Sequence, residues 1–113
     1  MITRLPGTVP TRSRGVVYDN LVFTVAVAPE KTPSFYEQTR QALAAIDKSL
    51  AEAGTDKSRI LTAFVYIAEM AQKPEMDRAW NEWVDRANPP MRACLGVALD
   101  GKDLVEIVIT AAR

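Results

Sequence analysis

Two charged residues lie inside apolar segments near the C-terminal end of the chain, where the interior of a strand rarely carries charge. Arg92 lies in the segment from Met91 to Leu99, and Glu106 lies in the segment from Leu104 to Ala112. A guanidinium binds carboxylates through a rigid set of N–H donors, and a carboxylate can hold a water molecule or move a proton. These two residues are therefore candidates for binding a small acid and acting on it with water.

A structural role is the competing interpretation of both residues. A buried charge without a partner is costly, so Arg92 and Glu106 could simply pair with each other at a sheet edge. Residue type alone favours this ion pair for Arg92, because many strand arginines pair or extend their charged ends into solvent. Cys94 lies on the same strand face as Arg92. We expect it to line a pocket, because the chain has no His that could activate it as a nucleophile.

The composition fits a single domain over residues 1–113 and excludes several classes of site. Lys and Arg together number 14, as do Asp and Glu, so the formal net charge is zero and a large nucleic-acid surface is not expected. The absence of His removes catalytic triads and imidazole metal sites. The single Cys allows no internal disulfide.

We also expect a cytoplasmic protein without a membrane partner. No apolar run reaches the roughly 18 residues of a membrane span, and residues 1–10 lack the apolar core of a secretory signal. Too few Cys and His residues are present for structural zinc, and we expect neither a metal nor an organic cofactor.

The pattern of apolar residues predicts six strands and two helices. Short alternating or continuous apolar runs indicate strands, and apolar residues that recur every three or four positions indicate helices. Aspartate followed by glycine at Asp100-Gly101 favours a hairpin between the last two strands. The predicted strands lie at about 2–5, 14–18, 21–27, 60–67, 91–99 and 104–112, and the predicted helices lie at about 34–53 and 74–87.

Runs of strands separated by two helices are typical of the α+β class, here one mixed sheet of about six strands with both helices packed on one face. Two helices cannot cover both faces, yet the runs Ile60–Ile67 and Leu104–Ala111 are apolar on both sides. The uncovered face predicts a homo-oligomer. We expect Arg92 to lie near a subunit boundary, and a lysine at Val65 or Ile107, whichever faces the partner, to disrupt assembly.

Several motifs together resemble the RidA (YjgF-type) family of imine deaminases. The main ones are Pro89-Pro90-Met91-Arg92-Ala93-Cys94 and the later Val105-Glu106-Ile107, which resemble the C-terminal signature of that family. The order of Asn20–Phe23, Gln38–Leu43 and Ala51–Gly54 extends the resemblance along the whole chain. It implies a chorismate-mutase-like fold that forms a homotrimer with a β-barrel core and ligand clefts between subunits.

The resemblance also implies an activity and roles for residues. It implies a hydrolase like the 2-iminobutanoate/2-iminopropanoate deaminases, which convert enamines or imines of the 2-aminoacrylate type to 2-keto acids and ammonia. Arg92 would bind the substrate carboxylate, Glu106 would position water, and Cys94 would lie beside the bound carboxylate. The family needs no metal or cofactor, and its partner is a small carboxylate metabolite.

Three positions depart from the family pattern and leave alternatives open. Arg12 matches a pocket tyrosine, Val25 matches a pocket serine, and Val108 matches a second glutamate of the closing strand. Arg12 and Val25 are thus further candidates for ligand contact, and the Arg12–Arg14 segment of a neighbouring chain is expected to close the pocket. The changes suggest a divergent subgroup, or a non-catalytic protein that binds small carboxylates. Endoribonuclease activity is the weakest alternative, because the chain has no net charge and no His.

Overall fold

Six strands and two helices make up the chain, and the computed structural model describes all residues from 1 to 113. In chain order the elements are β1 (Ile2–Pro6), β2 (Ser13–Tyr18), β3 (Leu21–Val27), α1 (Phe35–Glu52), β4 (Ile60–Ile67), α2 (Lys73–Trp83), β5 (Met91–Gly96) and β6 (Val105–Ala112). The strands form one sheet in the order β1-β2-β3-β6-β4-β5. Neither helix has an apolar stretch sufficient to cross a membrane.

The sheet is mixed, as predicted. Strands β1, β2 and β3 form an antiparallel meander, and β6 is antiparallel to both β3 and β4. Only β4 and β5 are parallel. Parallel neighbours need a crossover connection, and α2 supplies it while packing beside α1 on the same face of the sheet.

The predicted hairpin between the last two strands is wrong, because β4 lies between β5 and β6. A turn is present at Asp100-Gly101, and Gly101 has the positive φ of 54° that such a turn favours. The turn belongs, however, to a connection that passes the end of β4. Local turn chemistry cannot specify which strands pair. Burial explains the strand order: the helix-facing residues of β4 and β6 are buried along the whole strand and both strands take inner positions, whereas β5 is more exposed and lies at the edge.

Helix α1 covers the centre of the sheet and ends as predicted. Ser34 caps its start by accepting a hydrogen bond from the backbone N–H of Glu37 at 3.0 Å. Gly54, at φ 85°, follows its end. The apolar face of the helix packs on alternate residues of β4 and β6 to form the core, which includes Leu43, Ile46, Leu50, Ile67, Val105 and Ile109.

The other face of the sheet, here called the open face, has no covering element. Phe23 on β3, Phe64 on β4 and Leu95 on β5 retain 41%, 38% and 41% of their accessible surface. Val65 and Ile107 are fully buried at 0% exposure, and they belong to the core on the helix side. The expectation that one of them faces a partner is therefore wrong, because strand alternation puts their neighbours on the open face instead.

Candidate functional site

Arg92 lies on the edge strand β5, and its side chain points toward α2. Its Nη1 atom lies 2.9 Å from Asp77 Oδ1 and 3.7 Å from Met76 Sδ, and its guanidinium carbon lies 5.3 Å from the centre of the Trp80 ring. Only 21% of the Arg92 side chain is exposed. A guanidinium held by a carboxylate and placed over an aromatic ring has little freedom to move.

The contacts of the Arg92 guanidinium within the chain use Nη1. Its Nε and Nη2 atoms make no hydrogen bond within the chain. Nε and Nη2 form one edge of the guanidinium. The N–H groups on this edge are parallel and match the two oxygens of a carboxylate. Nε and Nη2 are therefore not used in the contact with Asp77.

Asp77 lies between two cations. Its Oδ2 accepts a hydrogen bond from Lys73 Nζ at 2.7 Å, while Oδ1 faces Arg92 Nη1. Burial alone would raise the pKa of Asp77, but Lys73 and Arg92 together outweigh burial and hold the pKa of this carboxyl below its usual value. Asp77 is therefore ionised at neutral pH, and the cluster of Lys73, Asp77 and Arg92 carries a single net positive charge.

Cys94 is half-buried next to this cluster. It is opposite Val65 in the parallel pair of β5 with β4, so it faces the helices, as Arg92 does. Burial raises the pKa of the Cys94 thiol, against smaller opposing effects of Arg92 and Lys73. The thiol is thus protonated at neutral pH. A protonated, half-buried thiol is suited to lining a pocket and not to nucleophilic attack.

Glu106 lies on the open face, in a cleft of about 550 Å³ that also contains Arg12 and Val25. Its neighbours across the sheet are Val27 on β3 and Tyr66 on β4. Glu106 is half-buried, and none of the six salt bridges of the chain includes it. Its carboxylate is therefore available to a ligand or to water.

A bulge leaves Arg12 as the free cation of this cleft. The pairing register of β1 with β2 shifts between Leu5 and Pro6, and Arg14 is the extra residue. Such a bulge changes the direction of a side chain, and the guanidinium of Arg14 forms an ion pair with Glu52 of α1. Arg12 is exposed and makes no ion pair.

Within one chain, Arg92 and Glu106 do not meet. Arg92 is opposite Ala63 of β4, which is buried on the helix side, whereas Glu106 is opposite Tyr66 of β4, which is on the open face. The structural ion pair between them was a wrong interpretation, because the partner of Arg92 is Asp77. The chain thus has two separate groups of candidate residues: Arg92 with Cys94 on one face, and Glu106 with Arg12 and Val25 on the other.

Two of the positions that depart from the resembled family lie side by side on the open face. Val25 on β3 is opposite Val108 on β6, and Val108 is opposite Phe64 on β4. The three side chains form an apolar row next to the row that contains Glu106. The surroundings of Glu106 are accordingly apolar on this side.

The sequence did not reveal three residues that support the two groups. Lys73 and Asp77 are spaced four residues apart, which brings their side chains together on a helix, but only the position of Arg92 in the sheet connects them to a site. The third is Gln38 on α1, which the sequence places in the Gln38–Leu43 motif without indicating what its side chain binds.

Gln38 is fully buried and joins two loops. Its amide nitrogen donates to the carbonyl oxygens of Thr32 at 2.7 Å and Lys102 at 3.1 Å, and its oxygen accepts from the backbone N–H of Leu104 at 2.9 Å. These bonds fix the backbone at the start of β6, two residues before Glu106. No group of three or more His, Cys, Asp or Glu side chains is arranged to hold a metal ion.

Comparison with known proteins identifies the family of the chain. A sequence model of the family described as Endoribonuclease L-PSP matches residues 6–113. The chain belongs to the RidA/YjgF family. The expected family and fold class are thereby confirmed.

Relatives within the RidA/YjgF family match over nearly the whole length. A RutC family protein of Haemophilus ducreyi is 46% identical over 114 residues, which cover 99% of this chain and 97% of that protein. The RutC family protein YoaB of Escherichia coli is 34% identical over 86% of each chain. The crystal structure of a YjgF family member from Neisseria meningitidis has a TM-score of 0.94 and 36% identity, with 100% of this chain and 95% of that chain covered.

Proposed function

We propose that this RidA/YjgF family protein hydrolyses reactive 2-imino acids, together with their enamine forms, to 2-keto acids and ammonia. The observation that carries the proposal is the state of Arg92. Its guanidinium is largely buried and fixed by α2, yet the two N–H groups suited to a carboxylate are unoccupied within the chain. A guanidinium that is held in place and keeps free N–H donors is suited to bind an anionic ligand.

We further propose that a complete site needs two copies of the chain. Arg92 and Cys94 lie at a sheet edge, and Glu106 lies in the cleft on the opposite face. A second copy that covers the apolar open face would bring the edge of one chain to the cleft of the next. A closed ring of such contacts gives every Arg92 a Glu106 from its neighbour. The homotrimer expected from the family resemblance is a ring of this kind.

In this site, each residue has one role. Arg92 of one copy holds the carboxylate of the imino acid, so the imine carbon is presented to a water molecule near Glu106 of the other copy. Glu106 accepts a proton as the water oxygen bonds to the imine carbon. Glu106 passes this proton to the nitrogen, which gives a carbinolamine. The proton of the new hydroxyl group then moves to the nitrogen through Glu106 while the C=O bond forms and the C–N bond breaks, so ammonia is released and a 2-keto acid remains. Imines of this type react readily with water, so positioning and one proton acceptor suffice.

The direct test measures release of ammonia and keto acid from freshly generated 2-iminopropanoate. We expect Arg92→Ala to lower kcat/KM by at least about a hundredfold, because it removes the group proposed to bind the substrate carboxylate. Arg78→Ala is a suitable control, since Arg78 is an exposed α2 arginine paired with Glu75. Equal rates for wild type and Arg92→Ala would exclude the proposed role.

The second candidate is a non-catalytic protein that binds small carboxylates in the same place. The apolar row of Val25, Val108 and Phe64 beside Glu106 favours it, because that row lacks the polar groups that the family pattern has there. Binding of 2-oxobutanoate that depends on Arg92, without turnover of the imine, would favour this candidate. RNA cleavage is not proposed, since the chain has no net charge and no His.

A further inference from the structure

A line of alternating charges connects α2 to the proposed carboxylate site. Lys73 Nζ is 2.7 Å from Asp77 Oδ2, and Asp77 Oδ1 is 2.9 Å from Arg92 Nη1. None of the other four salt bridges of the chain involves these three residues. This set of ion pairs therefore consists of one carboxylate and two cations.

Asp77 acts on Arg92 mainly through its charge. Its Oδ1 atom is buried and has no hydrogen-bond partner of good geometry, although Arg92 Nη1 lies only 2.9 Å away. The contact is an ion pair and not a well-directed hydrogen bond, so its effect depends on the negative charge of Asp77. Met76 and Trp80 also contact the Arg92 side chain and restrain it independently of that charge.

We propose that Asp77 determines specificity by restricting the Arg92 site to ligands with one negative charge. The inference rests on the proposed function to the extent that Arg92 binds a ligand carboxylate. With Asp77 ionised, the cluster has one net positive charge, which one carboxylate neutralises. A second carboxylate close to Arg92 would be repelled by Asp77, and the cluster of Lys73, Asp77 and Arg92 has no further positive charge to balance it.

The experiment compares two four-carbon keto acids, 2-oxobutanoate with one carboxylate and oxaloacetate with two. Their dissociation constants are measured by calorimetry for wild type, Asp77→Asn and Lys73→Gln. Asp77→Asn removes the negative charge with little change of shape, and Lys73→Gln removes a positive charge. We expect the affinity ratio of oxaloacetate to 2-oxobutanoate to rise about threefold to fivefold in Asp77→Asn and to fall by a similar factor in Lys73→Gln.

Two controls separate the charge of Asp77 from other effects. Glu75→Gln makes the same charge change on α2, but Glu75 pairs with Arg78 at 3.0 Å and not with Arg92. We expect it to leave the ratio at the wild-type value. Asp77→Glu keeps the charge and is expected to keep the ratio as well. A higher salt concentration should reduce the difference in affinity ratio between wild type and Asp77→Asn, because salt screens charge. A purely structural role of Asp77 does not predict this dependence.

The outcomes distinguish this inference from the proposed function. If Arg92→Ala abolishes binding of 2-oxobutanoate but the ratio is unchanged in Asp77→Asn and Lys73→Gln, the specificity role is wrong and carboxylate binding by Arg92 stands. If Glu75→Gln shifts the ratio as much as Asp77→Asn, the effect belongs to the general field of the protein, which also overturns the inference. If Arg92→Ala binds both acids as wild type does, Arg92 does not bind the carboxylate, and the proposed function is wrong together with the inference.

Discussion

A largely buried guanidinium needs partners, and Arg92 takes them from a helix and not from the neighbouring strands. Asp77 and Met76 contact its Nη1 atom and the Trp80 ring lies near its guanidinium carbon, whereas Nε and Nη2 make no hydrogen bond within the chain. Pairing and ligand binding are thus compatible, because they use different atoms of one guanidinium. Arg92 can therefore form a structural ion pair with Asp77, in place of the expected Glu106, and keep other donors for a carboxylate.

Gln38 is the residue whose loss should affect stability most through hydrogen bonding alone. Replacing it with Leu would leave two carbonyl groups and one N–H group of partly buried backbone without this partner. We expect Gln38→Leu to lower the free energy of unfolding by about 3 kcal/mol. Chemical denaturation would measure the change.

Gln41→Leu is the matched control for this prediction. Gln41 is also buried on α1, but its bonds go to the backbone N–H of Glu30 and to the carboxylates of Glu30 and Glu37 near the surface. We expect this variant to lose about 1 kcal/mol, because water can replace those partners. Similar losses for the two variants would contradict the view that Gln38 is the specific anchor of the β6 backbone.

At the scale of elements, local patterns predicted the elements well and their pairing poorly. The apolar runs of β3 and β4 predicted those strands with the observed bounds, and Ser34 and Gly54 marked the two ends of α1. Helix α2 ends at Trp83, earlier than predicted, because the backbone of Val84 is already extended.

Pairing could not be predicted because it depends on contacts between distant segments. The Asp100-Gly101 turn has the residues of a hairpin, yet the more apolar β4 occupies the place next to β6. The same error joined Arg92 to Glu106. Strand alternation gives the residues that share a face within one strand, so Arg92 was correctly grouped with Cys94. Whether residues of two different strands share a face depends on the pairing register, which cannot be read from the local sequence.

For the molecule as a whole, the exposed apolar residues of the open face are the strongest reason to expect self-association. Phe23, Phe64 and Leu95 are all substantially exposed there. We expect Phe64→Lys to weaken self-association by about a hundredfold or more, because a lysine charge would have to be buried between subunits. Sedimentation velocity at micromolar concentration would measure it.

Ala44→Lys provides the control for assembly, because Ala44 is exposed on α1 on the opposite side of the sheet. We expect this variant to assemble as wild type does. A lysine at the buried Val65 should instead unfold the chain. A wild-type protein that sediments as a monomer, or a Phe64→Lys variant with unchanged assembly, would rule out the open face as an interface.

Mixing two inactive variants tests whether Arg92 of one copy acts with Glu106 of another. Arg92→Ala and Glu106→Gln are each expected to retain only background imine hydrolysis. When the two are unfolded and refolded together in equal amounts, random assembly gives about one quarter of the interfaces an intact Arg92 and an intact Glu106. We predict recovery of about a quarter of wild-type activity in the mixture and none when each variant is refolded alone. A mixture no more active than its separate components would contradict the claim.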